Sequence, residues 1–172
     1  MTLYTKIINT VCTFIATRLF RKRTYVAFTN GTKYLQRTYL ISSKNIFGLP
    51  EILLHQFFES DQDPDLHNHP WDKSVSYILT GSYRETRLFI DNKTKFDTDR
   101  IAPTRNIIYA NDYHQITLLE KPIWTLFIAG KRIQSWGFWK IELMSHIPSK
   151  EYIISNNNHY EDLDGNITTL PE

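Results

Sequence analysis

The chain has one cysteine in 172 residues, Cys12, which excludes a disulfide framework and a cysteine-built zinc module. Charge excess is nearly absent: 20 Lys and Arg stand against 18 Asp and Glu, a formal net charge of +2. That balance gives no reason to expect nucleic acid or an acidic membrane as the main partner. No apolar run approaches the roughly 20 residues of a spanning helix. Internal repeats, low-complexity linkers and long helical patterns between strands are missing too. What is abundant is aromatic: 10 Tyr, 10 Phe and 4 Trp, with 41% hydrophobic residues overall. This is a folded single domain with material for a sizeable core.

The amino terminus has a basic start and an apolar stretch, but it does not read as a signal peptide. Arg18, Arg21, Lys22 and Arg23 follow the apolar run, and no small-residue cleavage site appears. Ile7, Ile8, Val11, Ile15 and Leu19 recur at helical spacing, which predicts a short amphipathic helix within residues 1–23, packed on the domain or a neighbour. Membrane contact is not expected, and a cytoplasmic location follows from the same reading.

From residue 24 the pattern changes to strands. Tyr25 and Ala27, then Tyr34, Leu35, Thr38, Tyr39 and Leu40, flank Asn30-Gly31, a hairpin-turn pair. Further strands are expected at 52–58, 74–79, 82–90, 106–109, 114–119, 124–129 and 137–142. Asp61 to Pro64, Gly81, Asp91-Asn92, Asn111-Asp112, Lys121-Pro122 and Gly130-Lys131 read as the turns between them. Many short, closely spaced strands imply an all-β sandwich or barrel at 24–147. The polar stretch 148–172 reads as a loose tail.

Chemistry concentrates in the histidines. In extended chain, His67 and His69 of His67-Asn68-His69 project to one face, where both can reach one ion. His114, at the start of a strand in the second half, is the natural third ligand, and imidazole suits iron, zinc, nickel and copper. Asp72, three residues beyond His69, is a candidate fourth ligand or hydrogen-bond acceptor for a ligand. Tyr77, Tyr83, Arg87, Arg105, Tyr113 and Trp124 are candidates for the pocket, with Arg87 and Arg105 capable of clamping an anion. A solvent-facing charge is the favoured reading of both arginines. Trp71, Trp124, Trp136 and Trp139 read as core, and His55 as a core or surface residue that could otherwise line the barrel mouth. His146 and His159 lie outside the motif region.

The spacing resembles the two motifs of the cupins. His67 and His69 are followed, after four intervening residues, by Ser74, in the position of the family's glutamate, and after six more intervening residues by Gly81. In the second motif, Asn111 takes the glycine position before His114, and Leu118 the asparagine position. Asn111 suits a left-handed turn. A closer similarity is to a small family of phage- and bacteria-associated cupins. It rests on His67-Asn-His-Pro-Trp-Asp72, Trp124-Thr-Leu-Phe-Ile-Ala-Gly130 and Trp136-Gly-Phe138, and covers residues 34–139.

The resemblance implies a cupin-type double-stranded β-helix, a jelly-roll barrel, with a short N-terminal helix. It also implies a divalent metal on His67, His69 and His114, with Asp72 as a candidate. Fe(II) leads, and Zn, Ni or Mn are alternatives. The set resembles the three-histidine thiol dioxygenases, so the expected activity is Fe(II) oxygenation of a small polar molecule, with Tyr77, Arg87 and Tyr113 as catalytic candidates. Two rival readings differ in kind. One is a non-catalytic or metal-free binding barrel, to which the loss of glutamate at Ser74 lends weight. The other is a sugar epimerase or isomerase using a His–Tyr pair. Cupins are commonly dimers, so a homodimer is expected.

Overall fold

In this computed structural model the described residues are 1–20, 23–27, 32–42, 50–89, 94–149 and 151–152. Helix α1 (Leu3–Phe14) is capped by Thr2, whose side chain accepts from the Thr5 amide, and continues into a π-helical turn, Ile15–Leu19. Ten strands are seen among the described residues: β1 (Arg23–Ala27), β2 (Lys33–Ile41), β3 (Glu51–Phe57), β4 (Leu66–His67), β5 (Lys73–Phe89), β6 (Thr94–Ile101), β7 (Thr104–Tyr109), β8 (Tyr113–Ala129), β9 (Gly137–Lys140) and β10 (Ser145–Pro148). They form one curled antiparallel sheet that makes a jelly-roll barrel.

The two 17-residue strands β5 and β8 are its spine, paired from Ser74 opposite Ala129 to Leu88 opposite Tyr113. Each was expected as two strands with a turn between. Gly81 does not end a strand but bends it: its φ of +71° turns β5 where the register slips between Ile78 and Tyr83. A bend is possible there because glycine adopts this conformation at little cost. Opposite it, Lys121-Pro122 also lies within β8. Strand β6 was missed. It alternates half-buried and exposed residues along one edge and reads as a polar segment. Strand β10 was missed as well. The hairpin of β1 and β2 forms as expected, while its turn at Asn30-Gly31 lies outside the described residues.

Alternation sorts the side chains onto two faces. Leu35, Phe57, Ile78, Tyr83, Ile116 and Ile123 fill one part of the barrel interior. Leu53, Ile108, Phe127 and Ala129 fill another, with Tyr39 and Trp71 against them. Helix α1 covers the outside, setting Cys12, Ala16, Ile8 and Ile15 on Leu54, Trp124, Leu40 and Leu79. Trp124 Nε1 donates to Asn9 Oδ1 at 2.8 Å and fixes the helix there. The packed face matches the expected one only in part: Ile8 and Ile15 pack, whereas Ile7, Val11 and Leu19 are exposed. No helix among the described residues is long and apolar enough to cross a membrane.

The segment after Pro148 is not wholly loose. Tyr152 is fully buried, stacks on Phe138 with centroids 3.8 Å apart, and donates to Asp65 Oδ2 at 3.0 Å. Residues 153–172, with His159, lie outside the described residues.

Candidate metal centre

Three short connections bring the histidines together. His67 ends β4, directly across from His114 on β8. The chain leaves the sheet at Asn68, so His69 is not in a strand as expected. Asn68 takes over its placement: its backbone and side chain bond Gly137 at 3.0 and 2.8 Å, and its Nδ2 donates to the Ala110 carbonyl at 3.1 Å. Gln134 Nε2 donates to the carbonyls of His69 and Ala110 and ties the same segments together. The turn before His114 is closed by Asp112, whose Oδ2 accepts from the Tyr109 amide at 2.9 Å. Among the described residues the only non-glycine with positive φ is Met144, so Asn111 is not left-handed. The aspartate closes the turn by hydrogen bonding instead.

The result is one cluster: a ligand nitrogen from each of His67, His69 and His114 lies within 4.8 Å of the other two. His69 Nε2 and His114 Nε2 are 2.8 Å apart. His114 Nδ1 lies 2.8 Å from Glu85 Oε1. Glu85 is fully buried in a cage of donors. Its Oε1 accepts from Arg87 at 3.0 Å and Asn106 at 2.9 Å, and its Oε2 from Arg100 at 3.0 Å. Burial alone would raise its carboxyl, but the His114 bond, the charges of His114 and Arg87 and the Asn106 bond outweigh it. They hold the carboxyl well below the usual range. An ionised carboxylate only accepts, so Nδ1 of His114 donates to it and Nε2 is the atom turned toward His69. The two Nε2 atoms share a proton, and a cation bound by both would take its place.

Burial first, then the field of His114, holds His67 and His69 well below the ordinary imidazole value, so both are neutral. A set of neutral imidazoles with one carboxylate-oriented member fits a divalent first-row metal. Trp71 stacks on His69 at 5.8 Å, and Trp136 lies edge-on to His67 at 6.4 Å. Both tryptophans were expected in the core; Trp71 does pack against Phe127, and both also flank the cluster.

The other candidates lie elsewhere. Asp72 Oδ1 accepts from the amides of Lys73 and Lys131, and Asp72 is exposed and outside the cluster. It holds the loop before β5. Tyr77 is 39% exposed on the outer face, because Ser74, Ser76 and Ile78 take the inner one. Tyr113 precedes His114 and so faces the opposite way, into Leu66, Leu88 and Trp139. Its hydroxyl is 2.8 Å from His146 Nδ1. Arg87 does face inward, but Glu85, Asp112, Asn106 and the Ile107 carbonyl occupy its guanidinium. Arg105 is exposed, and Tyr83 is buried in the barrel interior. Ser74 Oγ, in the expected glutamate position, is buried without a hydrogen-bond partner. The carboxylate of this site comes instead from Glu85, on the same strand beyond the Gly81 bend. It supports a ligand rather than being one. The signal for it was Tyr83-Arg84-Glu85-Thr86-Arg87, an acid amid strand-forming residues.

Fold and cluster together make a jelly-roll barrel of cupin-type fold in which three histidine ligand nitrogens converge. The structure is similar to oxalate decarboxylase from Bacillus subtilis, at 18% identity and a TM-score of 0.52 over 78% of this chain and 34% of that one. A variant of the same enzyme matches at 18% identity and 0.50, over 72% and 32%. Hydroxypropylphosphonic acid epoxidase from S. wedmorenis matches more loosely, at 11% identity and 0.46 over 64% and 56%. The matches thus span about a third of the decarboxylase and just over half of the epoxidase. These likenesses are of fold. No protein-family profile matches the chain, and no curated protein matches it in sequence.

Proposed function

We propose that the protein is a metal-dependent cupin enzyme, a three-histidine Fe(II) oxygenase acting on a small polar substrate. The observation that carries this reading is the convergence of three imidazole nitrogens within 4.8 Å, one of them oriented by a buried carboxylate. His67, His69 and His114 would hold the ion. Once bound, an Fe(II) ion there supplies open coordination positions and one-electron chemistry for a chelating substrate and dioxygen.

The chain's own residues do the rest. Glu85 fixes the His114 tautomer and, held by Arg87 and Arg100, cannot swing in as a ligand. Phe127 and Trp71, against His69, supply the apolar wall that excludes water and favours a small substrate. An acid–base reaction by a His–Tyr pair finds less support. The pair at hand, Tyr113 and His146, lies on the other face of the sheet from His114.

The test is anaerobic loading with Fe(II), followed by dioxygen uptake with panels of small thiols, carboxylic acids and amino acids. Substrate-dependent uptake that disappears in His69→Ala supports the reading. A metal-loaded protein that consumes no dioxygen with any panel, yet binds one of its members, favours a binding barrel instead.

A further inference from the structure

We infer that Arg37, His55 and Thr125 form a subsite for a terminal oxyanion of the substrate, on the inner wall beside the three histidines. The three lie on one row of the sheet: Arg37 on β2 is opposite His55 on β3, and His55 is opposite Thr125 on β8. Their neighbours fix the face. Leu35, Phe57 and Phe127, two residues away along the same strands, are barrel-interior residues, and the period-two rule puts Arg37, His55 and Thr125 with them. His55 stacks on Phe127 with centroids 5.0 Å apart, and Phe127 in turn lies 6.0 Å from His69. The row therefore adjoins the cluster.

Two observations point to a ligand. His55 and Thr125 are 7% and 1% exposed, yet His55 Nε2 and Thr125 Oγ1 have no hydrogen-bond partner. Buried polar atoms are rarely left so unless something else satisfies them. Arg37 is the second. Among the described residues it makes no ion pair, whereas Arg87 and Arg100 share Glu85, and Arg87 also meets Asp112. Its charge reaches His55, His67 and His69. A guanidinium, an imidazole able to present Nε2–H and a hydroxyl make a donor set for a carboxylate or phosphoryl group.

This subsite rests on the metal-centre reading only in placing the rest of the substrate beside the histidines, and it is tested without metal. Metal-free wild type, His67→Ala and Arg37→Gln are titrated separately with acetate and with inorganic phosphate, against chloride at matched ionic strength. Melting temperature and tryptophan fluorescence are followed. Saturable binding of either anion is expected in wild type and in His67→Ala, and binding about ten- to a hundred-fold weaker in Arg37→Gln. Acetate alone assigns a carboxylate, and phosphate alone a phosphoryl group. Thr125→Val leaves the charge and shape intact, so it serves if Arg37→Gln does not fold, and it should weaken binding about three- to tenfold. Equal binding by a folded Arg37→Gln, or by Thr125→Val, overturns the subsite, as does wild type with no anion-specific effect. Binding lost only in His67→Ala would move the anion site onto the histidines themselves. Failure here leaves metal content untouched, so the two readings fail separately.

Discussion

His114 Nδ1 donates to Glu85 Oε1 across 2.8 Å, and both side chains are fully buried. Strand pairing makes this possible: Arg87 is opposite His114 on β5 and β8, so Glu85, two residues earlier on the same face, reaches the ring diagonally. The carboxylate is ionised, so it orients the ring and strengthens Nε2 as a donor of electron density. Glu85→Gln should weaken metal binding about ten- to a hundred-fold, measured by chelator competition. It should also cost stability, because Arg87 and Arg100 lose their shared buried partner, on the order of 3–5 kcal/mol. Glu85→Asp keeps the charge but shortens the reach, and should recover stability more fully than affinity.

The metal-free protein should lose stability in mild acid. Burial first, then neighbouring positive groups, depresses His55, His67 and His69 in the folded state. Below about pH 6.5 the unfolded chain binds protons that the folded chain refuses, so stability falls as pH falls. Between pH 6.5 and 5.5 the loss is about 1 kcal/mol for each imidazole that stays neutral. Glu85 has the same sign of proton linkage, at lower pH. Its folded carboxyl is also depressed, so its contribution persists above the ordinary carboxylate range and is lost only in strong acid. Urea unfolding at pH 7.5, 6.5 and 5.5 checks this, and His55→Phe, which keeps a ring against Phe127, should flatten the dependence.

Gly81→Ala should be costly. The residue has φ of +71°, and a Cβ there would lie 2.8 Å from both the Pro122 carbonyl oxygen and Ile123 Cγ1. The backbone strain alone is about 1–3 kcal/mol, and the clash with β8 adds to it. A fall in melting temperature of roughly 5–10 °C is expected in calorimetry. An Ala variant as stable as wild type would mean that the bend is not fixed at this position.

Much of this was legible in the sequence because the hydrophobic period and the histidine spacing are local signals. The pairing of β1 with β2, the strand beginning at His114 and the helix before residue 20 all follow from neighbours within a few residues. The cluster followed from ligand type at a spacing shared with a known fold. What could not be read depends on partners far along the chain. Gly81 and Lys121-Pro122 look like turns in isolation, yet they face each other in one bent ribbon and so continue it. Tyr77 and Tyr113 carry suitable chemistry, but strand parity faces them away from His114, and parity across Pro70 and the Gly81 bend cannot be counted from sequence. Glu85 was passed over because the expected glutamate position holds Ser74, while the carboxylate arrives from eleven residues further on. Asp72 looked like a ligand by proximity to His69, but the loop before β5 uses its carboxylate to satisfy the Lys73 and Lys131 amides.

The central claim is that His67, His69 and His114 hold one divalent metal ion. Wild type, His67→Ala and His114→Ala should be purified anaerobically, offered Fe(II), Zn(II), Ni(II) or Mn(II), desalted, and assayed by elemental analysis with circular dichroism as a control for folding. The expected result is close to one ion per chain in wild type, and loss of it in both variants while they remain folded. Wild type that retains no metal from any of the four, or folded variants that retain as much as wild type, would contradict the account.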